Sequence, residues 1–402
     1  MFSTKGKPVQ ERTDQHGKGM RYKVRWEDPN GKERGKSFPD KKLSEAKQFL
    51  TKTENDLFSK TYHDPNAGDV EFKRYAVEVL SSRSQDESSK KTNQSRLDNQ
   101  IFPYFAGVRV SAFEKVETVR RWMAWLGSEE KNLSLSYQNA IFQLLSSILD
   151  AAVDDEKLRK NPCKNKSISA PRAKPIQVIP WKEQKLFLIQ DALPERNRPA
   201  ALLGAGLGLR QGEVLAFNLD SVDRREMVYH CTRQIVRVGS KYKFKLPKGH
   251  KPRSIPIGAH LLDKLDSYAE LYPPVEVTLP WGERDGKKFE TLNLLMTTEN
   301  RKFYTRDNFN DNVWRKAFDV VGFEYKDRTD GMHALRHLFA SNMLARAVSI
   351  KELAAFLGHS DEGFTLRTYT HLMPSSFERA RRAMDALFRV ASAVDDDKRV
   401  TK

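Results

Sequence analysis

His333-Ala334-Leu335-Arg336-His337, then Leu357-Gly358-His359-Ser360, then Tyr369-Thr370-His371 set an arginine, several histidines and a tyrosine close together in sequence. His333 and Arg336 stand one turn apart on one face of a helix. No carboxylate pair and no cysteine cluster accompanies them. The set suits a phosphodiester: guanidinium forks for the oxygens, imidazoles for protons, a phenol hydroxyl as nucleophile. Taken singly, each residue is ordinary, and a lone His-x-x-Arg is usually structural. Helical geometry is read as turning His337 away from His333, which makes it a packing residue. His371 is read as structural or supporting.

The elements that must position these groups carry their own signals. Ser349 caps an apolar helix, Glu352 completes a capping box, and Gly358 ends it in the left-handed conformation. His359 then sits just past a helix end, where it can turn into a cleft. Upstream, Gly204-Ala205-Gly206-Leu207-Gly208 permits a tight turn that brings Arg210 close to a ligand. Glu213, one turn on, can hold Arg210 in place. Between strands expected at Tyr242–Leu246 and Arg253–Ile257, Lys248 is placed at the tip of a hairpin, where a long cation can reach outward. A lysine in a turn is, by itself, usually only solvated.

The chain has 402 residues, enough for two or three domains. Seventy Lys and Arg against 53 Asp and Glu leave a net +17, with a pI near 9.6. That surplus points to a polyanion, either nucleic acid or an anionic membrane. Nothing approaches the ~18 apolar residues of a membrane span. The N-terminus, Met1-Phe2-Ser3-Thr4-Lys5, does not read as a signal peptide. Cys163 and Cys231 make neither a disulfide framework nor a closed zinc site, so a reducing cytoplasm is expected. The glycines at 204–208 lead into Leu-Arg rather than Lys-Ser/Thr, which argues against a nucleotide loop. No metal and no cofactor is expected.

In chain order, residues 1–62 read as a small basic module. An alternating strand Arg21–Trp26 is followed by a turn at Asp28-Pro29-Asn30-Gly31, a short second strand and a helix from Leu43 to Leu57. Arg21, Lys23 and Arg25 share one strand face and are candidate DNA contacts. Residues 66–163 read as a helical domain of four or five helices. Its polar stretch holds Lys90, Lys91 and Arg96, also candidate DNA contacts. Residues 164–180 read as a linker. The third block, 181–392, mixes helices with strands between Met227 and Ile257. Val228 to Val236 is expected to run as one strand, and 273–303 to be a loop-rich elaboration. An amphipathic helix is expected over Phe377–Val390 and a solvated tail over 393–402. The expected fold class is mainly α with small β-sheets (α+β), in several domains.

Gathered in order, the motifs are Gly206-Leu207-Gly208-Leu209-Arg210-Gln211-Gly212-Glu213; Pro247-Lys248-Gly249-His250-Lys251-Pro252-Arg253-Ser254-Ile255-Pro256; His333-Ala334-Leu335-Arg336-His337; Leu357-Gly358-His359-Ser360; and Thr365-Leu366-Arg367-Thr368-Tyr369-Thr370-His371. Each is weak alone. Together, in this order and spacing, they resemble the tyrosine recombinase (phage integrase) family, and the match covers about 200–375. The helical block resembles that family's core-binding domain, and the N-terminal hairpin its arm-site module. The resemblance implies the catalytic set Arg210, Lys248, His333, Arg336, His359 and Tyr369. Tyr369 would attack a scissile phosphate and form a 3′-phosphotyrosyl link, freeing a 5′-hydroxyl. The arginines would grip the non-bridging oxygens, and Lys248 would protonate the leaving oxygen. His333 would act in acid–base steps on the tyrosine, and His359 would bond the phosphate. It also implies double-stranded attachment sites, a homotetramer on DNA in which the C-terminal helix docks on a neighbour, a possible excisionase and host DNA-bending protein, and a cytoplasmic, nucleoid-associated location. Two rivals share parts of this reading: a type IB topoisomerase, and a non-catalytic DNA-binding protein descended from a recombinase.

Overall fold

The computed structural model describes residues 9–29, 31–59, 62, 64, 66–173, 178–282, 288–359, 361–369, 381, 382, 384 and 385. Most of the helix expected over Phe377–Val390, His371 and the tail at 393–402 lie outside the described residues. The chain divides into two compact units, 1–174 and 175–402. Each is mainly helical around small sheets, as the sequence indicates.

The first unit opens with an antiparallel sheet, β1 (Gln10–Glu11), β2 (Tyr22–Glu27) and β3 (Glu33–Phe38), in that order. Successive strand residues point to opposite faces. Tyr22, Val24 and Trp26 therefore turn inward with Phe38, under helix α1 (Leu43–Phe58) and its Ala46 and Phe49. Arg21, Lys23 and Arg25 take the other face. Two of the three are engaged: Arg21 with Asp40 at 3.0 Å and with Glu11, and Arg25 with Glu33 at 3.5 Å. β1, within the polar N-terminal stretch, was not legible in the sequence.

A separate core serves the helices α2 (Phe72–Ser82), α3 (Glu87–Arg96), α4 (Phe102–Phe105), α5 (Val116–Leu126) and α6 (Leu135–Asp154). Phe72, Phe105, Phe113 and Trp122 pack ring on ring at its centre. α3 buries no residue. Its Lys91 is exposed, Lys90 lies 3.7 Å from Glu87, and Arg96 donates to Asn93 at 3.2 Å. The expected linker begins as part of this domain, because Ile168 and Ala170 pack on the helical core.

The second unit holds α7 (Glu183–Ala192), α8 (Pro199–Leu207), α9 (Gln211–Val214), β4 (Val222–Asp223), β5 (Val228–Cys231), β6 (Gln234–Val238), β7 (Lys241–Lys245), β8 (Arg253–Pro256), α10 (Ala259–Leu271), β9 (Val275–Trp281), β10 (Lys288–Leu294), α11 (Arg306–Phe309), α12 (Arg315–Val321), α13 (His333–Ala345), α14 (Ile350–Leu357) and α15 (Glu362–Tyr369). Three expectations are corrected here. The single strand over Val228–Val236 is broken at Thr232-Arg233, and its halves join different sheets, β4-β5-β8 and β10-β9-β7-β6. Arg233 marks the corner, held by Glu290 at 2.5 Å and lying over the Trp281 ring at 4.4 Å. β7 and β8 also lie in different sheets, so Lys248 stands on a crossover and not at a hairpin tip. The stretch 273–303 is not simply loop-rich: within it β9 and β10 pair from Val275↔Leu294 to Trp281↔Lys288. Val275, Val277 and Leu279 alternate into the core despite the flanking prolines.

Candidate active site

Gly208 closes α8 at φ 61, in the left-handed region where a side chain is costly. A Cβ at Gly208 would stand 2.5 Å from the Phe339 ring, and one at Gly204 2.6 Å from Leu335 Cδ1. α8 and α13 therefore lie backbone to side chain. Arg210 follows at the N-cap of α9, in extended conformation. Its amide donates to Glu213 Oε2 at 2.8 Å and its Nη1 to Glu213 Oε1 at 3.0 Å.

Glu213 has a second and stronger partner. Arg253, on β8, donates from Nη1 and Nη2 to its two oxygens at 2.9 and 2.6 Å. Arg253 also donates from Nε to Phe356 O at 2.7 Å, which ties this pair to the end of α14. Burial alone would raise the Glu213 pKa. The hydrogen bonds and charge of Arg253, with the charge of Arg210, hold it at about 2.

Arg336, on α13, is almost wholly buried. It donates from Nη1 to Gly208 O at 2.7 Å and from Nη2 to Leu357 O. Nη2 also lies 3.2 Å from His359 Nε2. No carboxylate bonds to it among the described residues. Burial, then the charges of Arg210 and Arg253, lower its pKa to about 9, which still leaves it cationic at neutral pH. Glu213 thus bonds two guanidinium groups, Arg210 and Arg253, and reaches Arg336 by charge alone. The surplus positive charge favours an anion beside it.

His359 follows Gly358, the left-handed cap of α14, as the capping signals predict. Its Nδ1 lies 2.7 Å from Thr365 Oγ1. An arginine can only donate, so Nε2 accepts from Arg336 and Nδ1–H donates to the hydroxyl. Burial, then the charges of Arg336 and Arg210, push the His359 pKa to about 4. Donating to an anion through Nε2 would require a proton there, which the anion's own charge favours. His333 also sits at about 4, through desolvation and the charges of Arg336, Arg210 and Lys248, although much of its surface is exposed. Lys248 itself is exposed, with its charge felt at His333.

Tyr369 ends α15 and is 1% exposed. Burial raises its pKa to about 12, against the charges of Arg336 and Arg210. Its hydroxyl lies 2.8 Å from His337 Nδ1. The reading of His337 as a packing residue turned away from His333 is therefore corrected. Residues four apart lie on one helix face, and the two imidazoles meet edge to face with centroids 4.6 Å apart.

Arg210, His333, Arg336, His359 and Tyr369 are thus linked by bonds or by felt charge, with Lys248 at the margin. Arg253, Thr365 and His337 also bond into this cluster, and the motif reading did not single them out. Alternation along β8 turns Arg253 inward with Ile255, and an inward arginine on a strand is itself a sign of a buried ion pair. Arg21, Lys23, Arg25, Lys90, Lys91 and Arg96 belong to the other unit and are no part of this cluster.

Residues 182–375, which hold the whole cluster, match the model of the phage integrase family. Those residues form a domain of that family of tyrosine recombinases. The recombinase is 25% identical over 309 residues to a tyrosine recombinase XerC-like protein of Caldanaerobacter subterraneus subsp. tengcongensis, covering 70% of this chain and 73% of that one. In fold it is similar to the Tn1549 transposon integrase solved with a circular intermediate DNA, with TM-score 0.61, 20% identity, and coverage of 79% of this chain and 98% of that one. It is also similar in fold to lambda integrase, solved as a tetramer on a Holliday junction, with TM-score 0.52, 16% identity, and coverage of 88% and 96%.

Proposed function

We propose that this recombinase cuts and rejoins double-stranded DNA at specific attachment sites, through a 3′-phosphotyrosyl link on Tyr369, to integrate or excise a mobile element. The observation that carries this reading is Arg336. It is a buried guanidinium with no bonded carboxylate among the described residues, set beside Arg210, His359 and a buried tyrosine.

A phosphate between Arg210 and Arg336 would supply the missing negative charge. The pentacoordinate transition state carries more charge than the ground state, so the same guanidinium groups stabilise it preferentially. Tyr369 Oη forms the bond to phosphorus. The bond to the 5′-oxygen breaks, and that oxygen takes a proton from Lys248. His333 assists proton transfer, and His359 steadies the phosphate once it carries a proton on Nε2. Rejoining reverses these steps, with the bond energy held in the phosphotyrosine.

Residues 1–62 would serve as an arm-site module, with Arg21, Lys23 and Arg25 toward DNA. Residues 66–163 would be the core-binding domain, using Lys90, Lys91 and Arg96. The working assembly would be a homotetramer, as the DNA-bound lambda integrase tetramer suggests by analogy. An excisionase and a host DNA-bending protein would set direction. The setting would be the cytoplasm, at the nucleoid. No helix among the described residues is long and apolar enough to cross a membrane. The test is Tyr369→Phe. It should keep DNA binding and lose the covalent protein–DNA adduct on a nicked suicide substrate. An adduct that persists in this variant overturns the assignment of the nucleophile.

A further inference from the structure

We propose that His337, in addition to the six residues of the family motifs, is the group that receives the Tyr369 hydroxyl proton during strand cleavage; this rests on the reading of Tyr369 as nucleophile. Tyr369 Oη is buried and has one hydrogen-bond partner among the described residues, His337 Nδ1 at 2.8 Å. A neutral phenol carries one proton, and a buried hydroxyl proton without an acceptor is destabilising. If Nδ1 held a hydrogen and donated it, the phenol proton would have no acceptor among the described residues. The satisfied arrangement is therefore Oη–H donating to a bare Nδ1, with the imidazole hydrogen on Nε2.

That arrangement is poised for transfer. As Oη bonds to phosphorus, its proton passes to Nδ1 and His337 becomes a cation. When the 5′-hydroxyl attacks the phosphotyrosine, the same proton returns to Oη. No other reactant is required. The groups that face His337 are His333 and Arg336 on its own helix and Tyr369 on α15. Burial, then the charges of His333 and Arg336, keep His337 unprotonated at neutral pH, and the negative charge of a bound phosphate would strengthen it as a base. His333, more exposed and edge to face with His337, has no bond to Tyr369 among the described residues.

The test is single-turnover cleavage by the full chain between pH 7 and 9, with protein in excess over DNA. Wild type should be nearly flat, because the base is already bare. His337→Asn keeps an acceptor near Nδ1 but cannot hold the proton. Its rate should fall about 10²-fold or more at pH 7, then climb about tenfold per pH unit as hydroxide removes the phenol proton. A DNA bearing a 5′-bridging phosphorothiolate, whose sulfur leaves without a proton, should rescue Lys248→Ala but not His337→Asn. A His337→Asn rate within twofold of wild type, or a lowered rate with a flat pH profile, overturns the proposal. Should that variant fail to fold, a wild-type rate that itself climbs tenfold per unit would overturn it. Tyr369→Phe distinguishes the two failures: an adduct in that variant defeats the nucleophile, whereas its loss alongside an unimpaired His337→Asn defeats only this inference.

Discussion

Arg253 and Glu213 face each other as a bidentate ion pair inside the catalytic unit, at 2.9 and 2.6 Å, while the same carboxylate holds Arg210. One buried group therefore sets the orientation of a proposed phosphate-binding arginine. Breaking the pair from one side leaves an uncompensated charge, which costs about 3–5 kcal/mol. Glu213→Leu and Arg253→Met should each lower stability by that order in urea unfolding. The double change Glu213→Leu/Arg253→Met should cost less than the sum of the singles. Strict additivity would contradict the coupling.

Gly208 joins local strain to the same site. A side chain there meets both the left-handed backbone and the Phe339 ring. Gly208→Ala should destabilise by about 1–3 kcal/mol. It should also slow cleavage, because Gly208 O is an anchor of Arg336. Unfolding and single-turnover cleavage of the one variant check both halves, and a stable variant that cleaves normally would count against the packing argument.

The acid limb of stability should fall in two windows. His333, His337 and His359 sit near 4, below the ordinary 6.5. The unfolded chain binds more protons between those values, so their contribution is whole above pH 6.5 and is lost as pH falls toward 4. Glu213 sits near 2, below its ordinary 4.5. Its contribution is present above pH 4.5 and is lost on falling toward 2. Urea midpoints measured from pH 7 to 3 should therefore drop already between 6.5 and 4, and less so in His337→Asn. A midpoint that holds constant down to pH 4.5 would contradict the histidine shifts.

An anion should stabilise the free protein. Three guanidinium groups around one carboxylate leave charge for a phosphate to neutralise. Inorganic phosphate should raise the Tm, by the equivalent of about 2.7 kcal/mol at a hundred times its Kd. Arg336→Gln should show a smaller rise. Equal rises in the two proteins would place the anion elsewhere.

Much of this was legible in the sequence wherever the signal was local. Ser349, Glu352 and Gly358 announced the helix that sets up His359, and alternation over Arg21–Trp26 assigned both faces of β2. What could not be read was pairing at a distance. The strands around Lys248 were visible, but nothing in them said that β7 and β8 join different sheets. Arg253 was visible as part of a strand, but its partners lie at Glu213 and Phe356. His337 differs: its four-residue spacing from His333 places the two imidazoles on one helix face, which the sequence alone implies.

The central claim is that Tyr369 becomes the holder of the broken strand. Wild-type protein trapped on a nicked suicide substrate can be digested with protease and nuclease, and the nucleotide-bearing peptide sequenced by mass spectrometry. The account predicts a nucleotide joined through its 3′-phosphate to Tyr369. Attachment to any other residue, or cleavage with no covalent adduct, would contradict it.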